Sequence, residues 1–421
     1  MKSLEIQGGI PLFGEICVQG SKNGVLPILA ASLLGEGQVI LEHCPDIRDV
    51  KDTLQIMKSL GCLIEKTGEI VEIDASNLKN HQIEQNTASR IRSSVLFLGA
   101  LLGKMKKAVL PQPGGCAIGS RPIDLHLEAM RALGADLRED GSETIEAYGE
   151  CMHGGTIALR FPSVGATENS ILAAVMQAED TVLEGAAREP EIDQLCEFLN
   201  MRGAQIRRLK NGSIQIAGGR RLGSVRYQIH SDRIVTGTYL LAAAASRGRI
   251  GISNFPTGEL DSLQQLLTQM GGRFWKKNHM LFFEMSKRPE AVFKVCTAPY
   301  PGFPTDLQPQ LTALFLGAQG ESQVIETLFE NRFRAADEMK KMGADITVNG
   351  SCAVIRGKQS LHAAKMEALD LRGGAALAVA ALQAEGTSVV TGAEYIERGY
   401  EDIVRDLQQL GAAVSMKESE G

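Results

Sequence analysis

The residues best suited to chemistry gather at a few glycine-rich or helix-starting positions. Residues 111–126 read PQPGGCAIGSRPIDLH. Gly114, Gly115 and Gly119 make this stretch turn-rich, because a residue without Cβ reaches backbone conformations closed to others. Cys116 sits within it, five residues before Arg121, and Pro122 is expected to open a helix that continues through Asp124 and Leu125. A nearby cation and a helix N-terminus both favour thiolate, the form of cysteine that attacks electrophiles. A lone cysteine is more often a small buried apolar residue. That bland role suits the cysteines at 17, 44, 62, 151, 196, 296 and 352 better than it suits Cys116.

A second group is cationic. Apolar helices are expected to begin at Gly20-Ser21-Lys22-Asn23, at Arg92-Ser93-Ser94 and at Ser163 to Thr167. Three more begin at Ser231-Asp232-Arg233, at Pro304-Thr305-Asp306 and at Asp370-Leu371-Arg372. Helix starts expose unpaired N–H groups and partial positive charge, which suit phosphate and carboxylate. Arg48, Arg121, Arg188, Arg332 and Arg398 recur in the loops ahead of a second set of helices, and only the segment PTGELD lacks one. Any single Arg is more readily explained as a cap or a solvated charge. So many at matching positions in an acidic chain indicate an anion site, for which the guanidinium fork is well shaped. Asp306 taken alone would be an N-cap, since Asp favours helix starts, and a cap would also hold its carboxylate in place.

The elements that must carry these residues repeat. Glycines 61, 134, 203, 271, 343 and 411 each follow an amphipathic helix and precede a β-like segment, as in ALGADLRE and KMGADITV. Successive spacings are 73, 69, 68, 72 and 68 residues. A glycine just past a helix takes up the left-handed C′ cap. Six at near-constant spacing define a duplicated unit of about 70 residues. Ahead of each lies an Ala-rich helix apolar nearly all round, such as TENSILAAVMQA or GGAALAVAALQA, which should be buried. Each leads into a short β-branched strand, among them QVILEHC, TVLEGA and SVVTGA. The expectation is a mixed α/β protein with helices packed inside and sheets outside. A repeat scaffold without chemistry would show the same periodicity, so the helix-start residues decide for an enzyme.

Bulk composition excludes several classes. The net charge of −6 opposes a nonspecific nucleic-acid or anionic-membrane binder, which needs a basic face. The eight cysteines form no CxxC pair and there are only seven histidines, so no metal site is expected. With no apolar signal segment in Met1 to Gly9 and no long apolar run, a reducing, cytoplasmic setting is expected. There is neither GxGxxG after a strand nor GxxxxGK[ST], so no NAD, ATP or other cofactor is expected.

At this point the motifs resemble the UDP-N-acetylglucosamine 1-carboxyvinyltransferase family of the EPSP synthase superfamily. They are GSKN (20–23), QPGGCAIGSRPIDLHL (112–127), SVGAT (163–167), AAREPEI (186–192), GFPTDLQ (302–308), FENRF (329–333), DLRGGA (370–375) and ERGYED (397–402). They span almost the whole chain in the family's order. The resemblance implies an inside-out α/β barrel of two lobes, each of three pseudo-symmetric repeats. It places residues 1–21 with 230–421 in one lobe and residues 22–229 in the other, with hinges near 20–22 and 229–231 and an active site in the cleft.

It also implies transfer of the enolpyruvyl group of phosphoenolpyruvate to the 3-hydroxyl of UDP-N-acetylglucosamine, with release of phosphate, at the entry to peptidoglycan synthesis. By that resemblance Lys22, Arg121 and Arg398 contact phosphoenolpyruvate, with Arg332 and Arg372 in support and Asn23 and Arg92 lining the same site. Arg121, Pro122, Ile123, Asp124 and Leu125 would hold the nucleotide sugar with Phe161, Pro162, Ser163, Val164, Asp306 and Leu328. Cys116 would be the proton donor, open to alkylation by the epoxide fosfomycin, and Asp306 the base. Departures are small: Leu307 where Met is also familiar, and Pro162, which is not universal. Two rivals share the fold: the sister enzymes that act on 3-phosphoshikimate, and a non-catalytic UDP-sugar-binding paralogue. The PGGC loop and FPTDLQ argue against the first, and the intact Cys116, Asp306 and cation set against the second.

Overall fold

Apolar helices that are buried on every side organise the chain. The computed structural model describes residues 2–88, 90–111, 119, 122–138 and 144–418. They divide into two compact units, one built from Met1–Gln19 and Ser231–Gly421 and the other from Gly20–Gly115 and Arg121–His230. Each unit has its own apolar core. The second holds the inner helices Lys22–Ala31, Phe97–Met105 and Val164–Ala174. The first holds Arg233–Ala245, Gln308–Phe315 and Leu371–Gln383. No described helix is long and apolar enough to cross a membrane.

The starts of these helices fall where the sequence indicates, with one refinement. The middle helix of each unit is entered through a 3-10 turn, Arg92–Leu96 in one and Thr305–Leu307 in the other. The duplication therefore extends to an irregularity of local geometry. The amphipathic helices end as expected. The glycines at 61, 134, 203, 271, 343 and 411 all have left-handed φ, between 81° and 113°. One helix starts later than expected: Asp124–Ala132 begins two residues past Pro122, with Ile123 rather than Pro122 leading into it.

Among the described residues six small sheets form, three per unit, and they share one plan. In each four-stranded sheet a strand pairs in parallel with the strand that leaves the inner helix, and two further antiparallel strands follow on its other side. Val225–Gln228 beside Val39–Glu42, followed by Ile70–Asp74 and Leu63–Thr67, is one example. The sheet of Lys107–Pro111 has three strands, and a single parallel bridge, Gln82 to Val109, stands where the others have a full strand. The sixth sheet is completed by the chain's beginning: Lys2–Gln7 lies antiparallel between Thr387–Thr391 and Ala413–Glu418. Phe13–Cys17 likewise supplies the parallel strand beside Arg249–Ser253.

Buried helices must satisfy polar groups internally, because an unmet one costs about 1–3 kcal/mol. Asn169 shows how. Its Oδ1 accepts from Gly99 N at 2.7 Å, and its Nδ2 donates to Val95 O at 2.9 Å. These are the two groups an uninterrupted α-helix would join directly. The amide stands between them where the 3-10 turn passes into the α-helix. Its second proton goes to His126 Nδ1 at 3.0 Å, which fixes that nitrogen as an acceptor and places the imidazole proton on Nε2. Close approach demands glycine here: a Cβ on Gly99 would lie 2.3 Å from Asn169 O. Two arginines, Arg202 buried and Arg288 half-buried, close inner-helix C-termini in matching fashion. Arg202 donates to Ala31 O, Leu34 O and Gly223 O, and Arg288 to Gly317 O, Ala318 O and Gly357 O.

Asn169→Ala leaves Gly99 N, Val95 O and His126 Nδ1 without these bonds. It is expected to lower unfolding stability by about 2–4 kcal/mol, read from urea unfolding curves at unchanged m-value. A midpoint equal to that of the unaltered protein would show that the inserted amide holds nothing together.

Candidate functional site

In the unit carrying Asp306, the starts of two inner helices are joined through one carboxylate. Asp306 Oδ1 accepts from Arg332 Nη2 at 2.6 Å, and Oδ2 accepts from Arg372 Nη2 at 2.8 Å. Both guanidiniums are nearly sealed from solvent, with side chains 3% and 5% exposed, while Asp306 is 28% exposed. Arg332 also donates from Nε and Nη2 to Thr305 O. Asp306 is not the cap of either turn, since Pro304 and Leu307 hold those positions. Its carboxylate serves the two cations instead, and the capping role expected from its type is replaced.

Arg372 is held by its own helix start. Asp370 caps Leu371–Gln383, with Oδ1 accepting from Arg372 N and Gly373 N. Burial alone would lower the Arg372 pKa, but Asp306, with Tyr400 and Asp232, outweighs it and raises the value. Arg372 Nη1 is buried and has no hydrogen-bond partner. The side-chain oxygens of Gln308 and Gln310, on the helix behind Asp306, are also without partners. A buried, permanently charged N–H donor left open is a seat for an anionic oxygen. Around it, Glu326 is buried and shapes the loop of Leu328. Its Oε1 accepts from Leu328 N and Phe329 N, and Oε2 accepts from Thr305 Oγ1. Arg398 ends a 3-10 turn, Ala393–Arg398, and is half-buried.

In the unit carrying Lys22, the first helix start is built in the same manner. Ser21 Oγ accepts from Gly24 N, and Lys22 is the first helical residue. Lys22 Nζ lies 3.1 Å from Asp49 Oδ2, a carboxylate buried in the first turn of Arg48–Leu60. Gly24 is required by close packing, because a Cβ there would sit 2.1 Å from Gln194 Oε1. Asn23 and Arg92 are half-buried, each at its helix start. Ser163 caps Val164–Ala174, its Oγ accepting from Ala166 N, and Ser163 N donates to Phe161 O. Phe161 is 46% exposed, one of several large apolar side chains left at the surface.

Arg160 ties two stretches of this unit together. Its guanidinium binds the carboxylates of Asp124 and Glu128 on the helix Asp124–Ala132. The stretch beginning at Pro122 and the stretch ending at Val164 are thereby joined. His126, held by Asn169, stands against Gly165 at the start of the second stretch. Ile123, Leu125 and Val164 also pack on the core, so they serve as its wall as well as candidate contacts. Pro122 is exposed and Pro162 half-buried.

Cys116 and Arg121 lie outside the described residues, so the structure places neither. Of the other expected residues, Asp306, Arg332 and Arg372 are brought into direct contact. Lys22, Asn23, Arg92, Ser163 and Val164 occupy helix starts. Two repeat-position arginines, Arg48 and Arg188, are exposed. The expectation that the remaining cysteines are buried is corrected: Cys44 and Cys62 are, while Cys17, Cys151 and Cys296 are exposed. Cys17 and Cys296 fall on the outward phase of their strands, and Cys151 lies in a turn. Asp49, Arg160 and Glu326 were not found by sequence reasoning. Asp49 had a signal, an acid inside a helix start opposite Lys22, but Arg160 and Glu326 had none.

Among the described residues there is no cluster of three His, Cys, Asp or Glu able to hold a metal. The family model for EPSP synthase (3-phosphoshikimate 1-carboxyvinyltransferase) matches residues 6–407. The chain is 44% identical over 414 residues to UDP-N-acetylglucosamine 1-carboxyvinyltransferase 2 of Caldanaerobacter subterraneus subsp. tengcongensis, covering 98% of this chain and 99% of the relative. It is 42% identical over 421 residues to UDP-N-acetylglucosamine 1-carboxyvinyltransferase of Coprothermobacter proteolyticus, covering 100% of this chain and 99% of that one. Among solved structures, the enolpyruvyl transferase NikO from Streptomyces tendae superposes with a TM-score of 0.89 at 24% identity, covering 100% of this chain and 99% of that one. EPSP synthase from Acinetobacter baumannii gives 0.77 at 17%, covering 99% and 100%. The fold is thus that of the enolpyruvyl transferases, as the repeats and motifs implied.

Asp306→Ala strands two buried guanidiniums. Unfolding stability is expected to fall by about 3 kcal/mol, more than any exposed ion pair of this chain would cost, as measured by denaturant titration. Thiol accessibility makes a second check. Burial pushes Cys62 and Cys196 up to about 12, so at pH 8 both should resist iodoacetamide in the folded protein while Cys17, Cys151 and Cys296 are labelled, as read by peptide mass spectrometry.

Proposed function

The chain belongs to the EPSP synthase family, and on that premise we propose that it transfers the enolpyruvyl group of phosphoenolpyruvate to the 3-hydroxyl of UDP-N-acetylglucosamine, releasing phosphate. The observation that carries this reading is the carboxylate of Asp306 held between two buried guanidiniums, one of which keeps an open donor. That arrangement suits a base placed beside an anionic substrate. The curated relatives, all but full-length matches, name the nucleotide sugar as acceptor rather than 3-phosphoshikimate. The reaction would be the committed step toward peptidoglycan and would run in the cytoplasm, with no metal or cofactor.

The chemistry follows from the two substrates. Both are anions, so cations must gather around them: Lys22, Arg121 and Arg398 at phosphoenolpyruvate, with Arg332 and Arg372 in support and Asn23 and Arg92 beside them. Asp306 takes the proton of the 3-hydroxyl as its oxygen bonds to C2 of phosphoenolpyruvate. The Cys116 thiol gives a proton to the methylene carbon, which becomes a methyl group. In the second half a proton leaves that methyl carbon for the thiolate, the double bond re-forms, and phosphate departs from C2 with the proton that Asp306 had taken. Acid and base each contribute about 10²–10⁴-fold to such a reaction. The cations stabilise the charge of the departing phosphate. Residues 122–125 and 161–164, with Leu328, would hold the nucleotide sugar.

Purified protein should release phosphate from phosphoenolpyruvate only when UDP-N-acetylglucosamine is added, and not with 3-phosphoshikimate. Binding of the nucleotide sugar without phosphate release would leave a UDP-sugar-binding protein in place of the enzyme. Asp306→Asn should still bind UDP-N-acetylglucosamine but turn over about 10²–10⁴ times more slowly. Unchanged turnover would remove the base. Cys116→Ala should lose both activity and covalent modification by fosfomycin, and full turnover in that variant would refute the proton-donor role.

A further inference from the structure

Arg398, which the reading above assigns to phosphoenolpyruvate, ends a turn whose following residues are gripped from the far end of the sequence. The side-chain amide of Gln19 uses both of its atoms on that backbone. Nε2 donates to Gly399 O at 3.2 Å, and Oε1 accepts from Glu401 N at 2.9 Å. Gln19 is buried at 8% exposure, and its own carbonyl is fixed by Asp232 N at 2.9 Å, at the capped start of Arg233–Ala245. Tyr400, between the two gripped residues, is also pinned. Thr238 Oγ1 spends its one proton on Ile234 O, so the Tyr400 hydroxyl must be the donor in the 2.7 Å contact with Thr238. On the other side of Arg398, Glu397 Oε1 pairs with Lys2 Nζ at 2.5 Å. Residues 397 and 399–401 are all tied, three of the ties reaching into the first nineteen residues.

We propose that Gln19 is a positioning residue for Arg398: by clamping Gly399 O and Glu401 N it sets where that guanidinium stands and so sets affinity for the carboxylate and phosphate of phosphoenolpyruvate. The proposal rests on the enolpyruvyl transfer reading. Its physical basis is the cost of misplacement, since a bound anion gains from a guanidinium only within hydrogen-bond reach. Gln19 is also the last residue of its unit before the chain passes to Gly20, three positions ahead of Lys22. A conserving substitution is not available. Asn is one methylene shorter, and Glu replaces the donor facing Gly399 O with a second acceptor.

The test is a double-mutant cycle read in steady-state kinetics, with thermal melting of each variant. Gln19→Ala should raise KM for phosphoenolpyruvate about tenfold while KM for UDP-N-acetylglucosamine stays within about twofold. Gln19→Glu should weaken phosphoenolpyruvate at least as much. In the Arg398→Ala background, Gln19→Ala should add less than about twofold, because the residue it positions is gone. Gln19→Met, which keeps the length without the hydrogen bonds, carries the same comparison should the Ala variant fail to fold. An unchanged KM for phosphoenolpyruvate in a folded Gln19 variant would overturn the proposal. So would a full additional tenfold loss in the double variant, or equal weakening of both substrates, each of which marks a merely structural role. If Arg398→Ala by itself leaves phosphoenolpyruvate untouched, the assignment of Arg398 falls and this proposal with it. If Arg398→Ala weakens it and Gln19→Ala does not, only the positioning role is lost.

Discussion

A helix that is apolar on every side can carry polar chemistry only at its ends. Six such helices make the cores of this protein, and that constraint governs where function can reside. Along their length, polar groups must be consumed internally, as Asn169 consumes Gly99 N and Val95 O and as Gln310 Nε2 turns to Thr238. At their C-termini, Arg202 and Arg288 absorb the exposed carbonyls. At their N-terminal starts stand Lys22, Arg92, Ser163, Asp306 and Arg372. Unpaired N–H groups favour anions at the same ends, so backbone and side chains draw the same kind of ligand.

Grouping cations has its own cost, since like charges in a poorly hydrated site repel and lose solvation. Asp306 resolves this by standing between Arg332 and Arg372. Its two oxygens fix two guanidiniums, and Thr305 O takes further N–H groups of one of them. Arg372 Nη1 is left over. The same contact therefore ties two helix starts together and leaves one buried donor open. Lys22 and Asp49 repeat the device at smaller scale in the other unit.

Duplication explains how such starts recur, and the chain's beginning explains how the series closes. In the sixth repeat the strand after Gly411, Ala413–Glu418, pairs with Lys2–Gln7, which finishes the sheet. Phe13–Cys17 and then Gln19 extend the same arm past a second sheet to the residues following Arg398. A segment that starts the sequence is thereby a structural part of the unit built mostly from its second half.

The sequence by itself determined the repeat, the burial of its inner helices, the glycine at each amphipathic helix end and the positions of the helix starts. These are local properties: a glycine's backbone freedom, an apolar periodicity and an Asp or Ser before a helix act within a few residues, so they can be read in a line of letters. Tertiary structure alone decided which groups meet. Nothing near Asp306 in the chain announces Arg332 and Arg372, 26 and 66 residues away, as the partners that displace a capping role. Asn169 gives no sign of entering a helix 70 residues earlier, nor Gln19 of gripping a backbone 380 residues later. Such pairings arise because close packing forces particular side chains together once the repeats stack, and packing leaves no periodic trace in sequence.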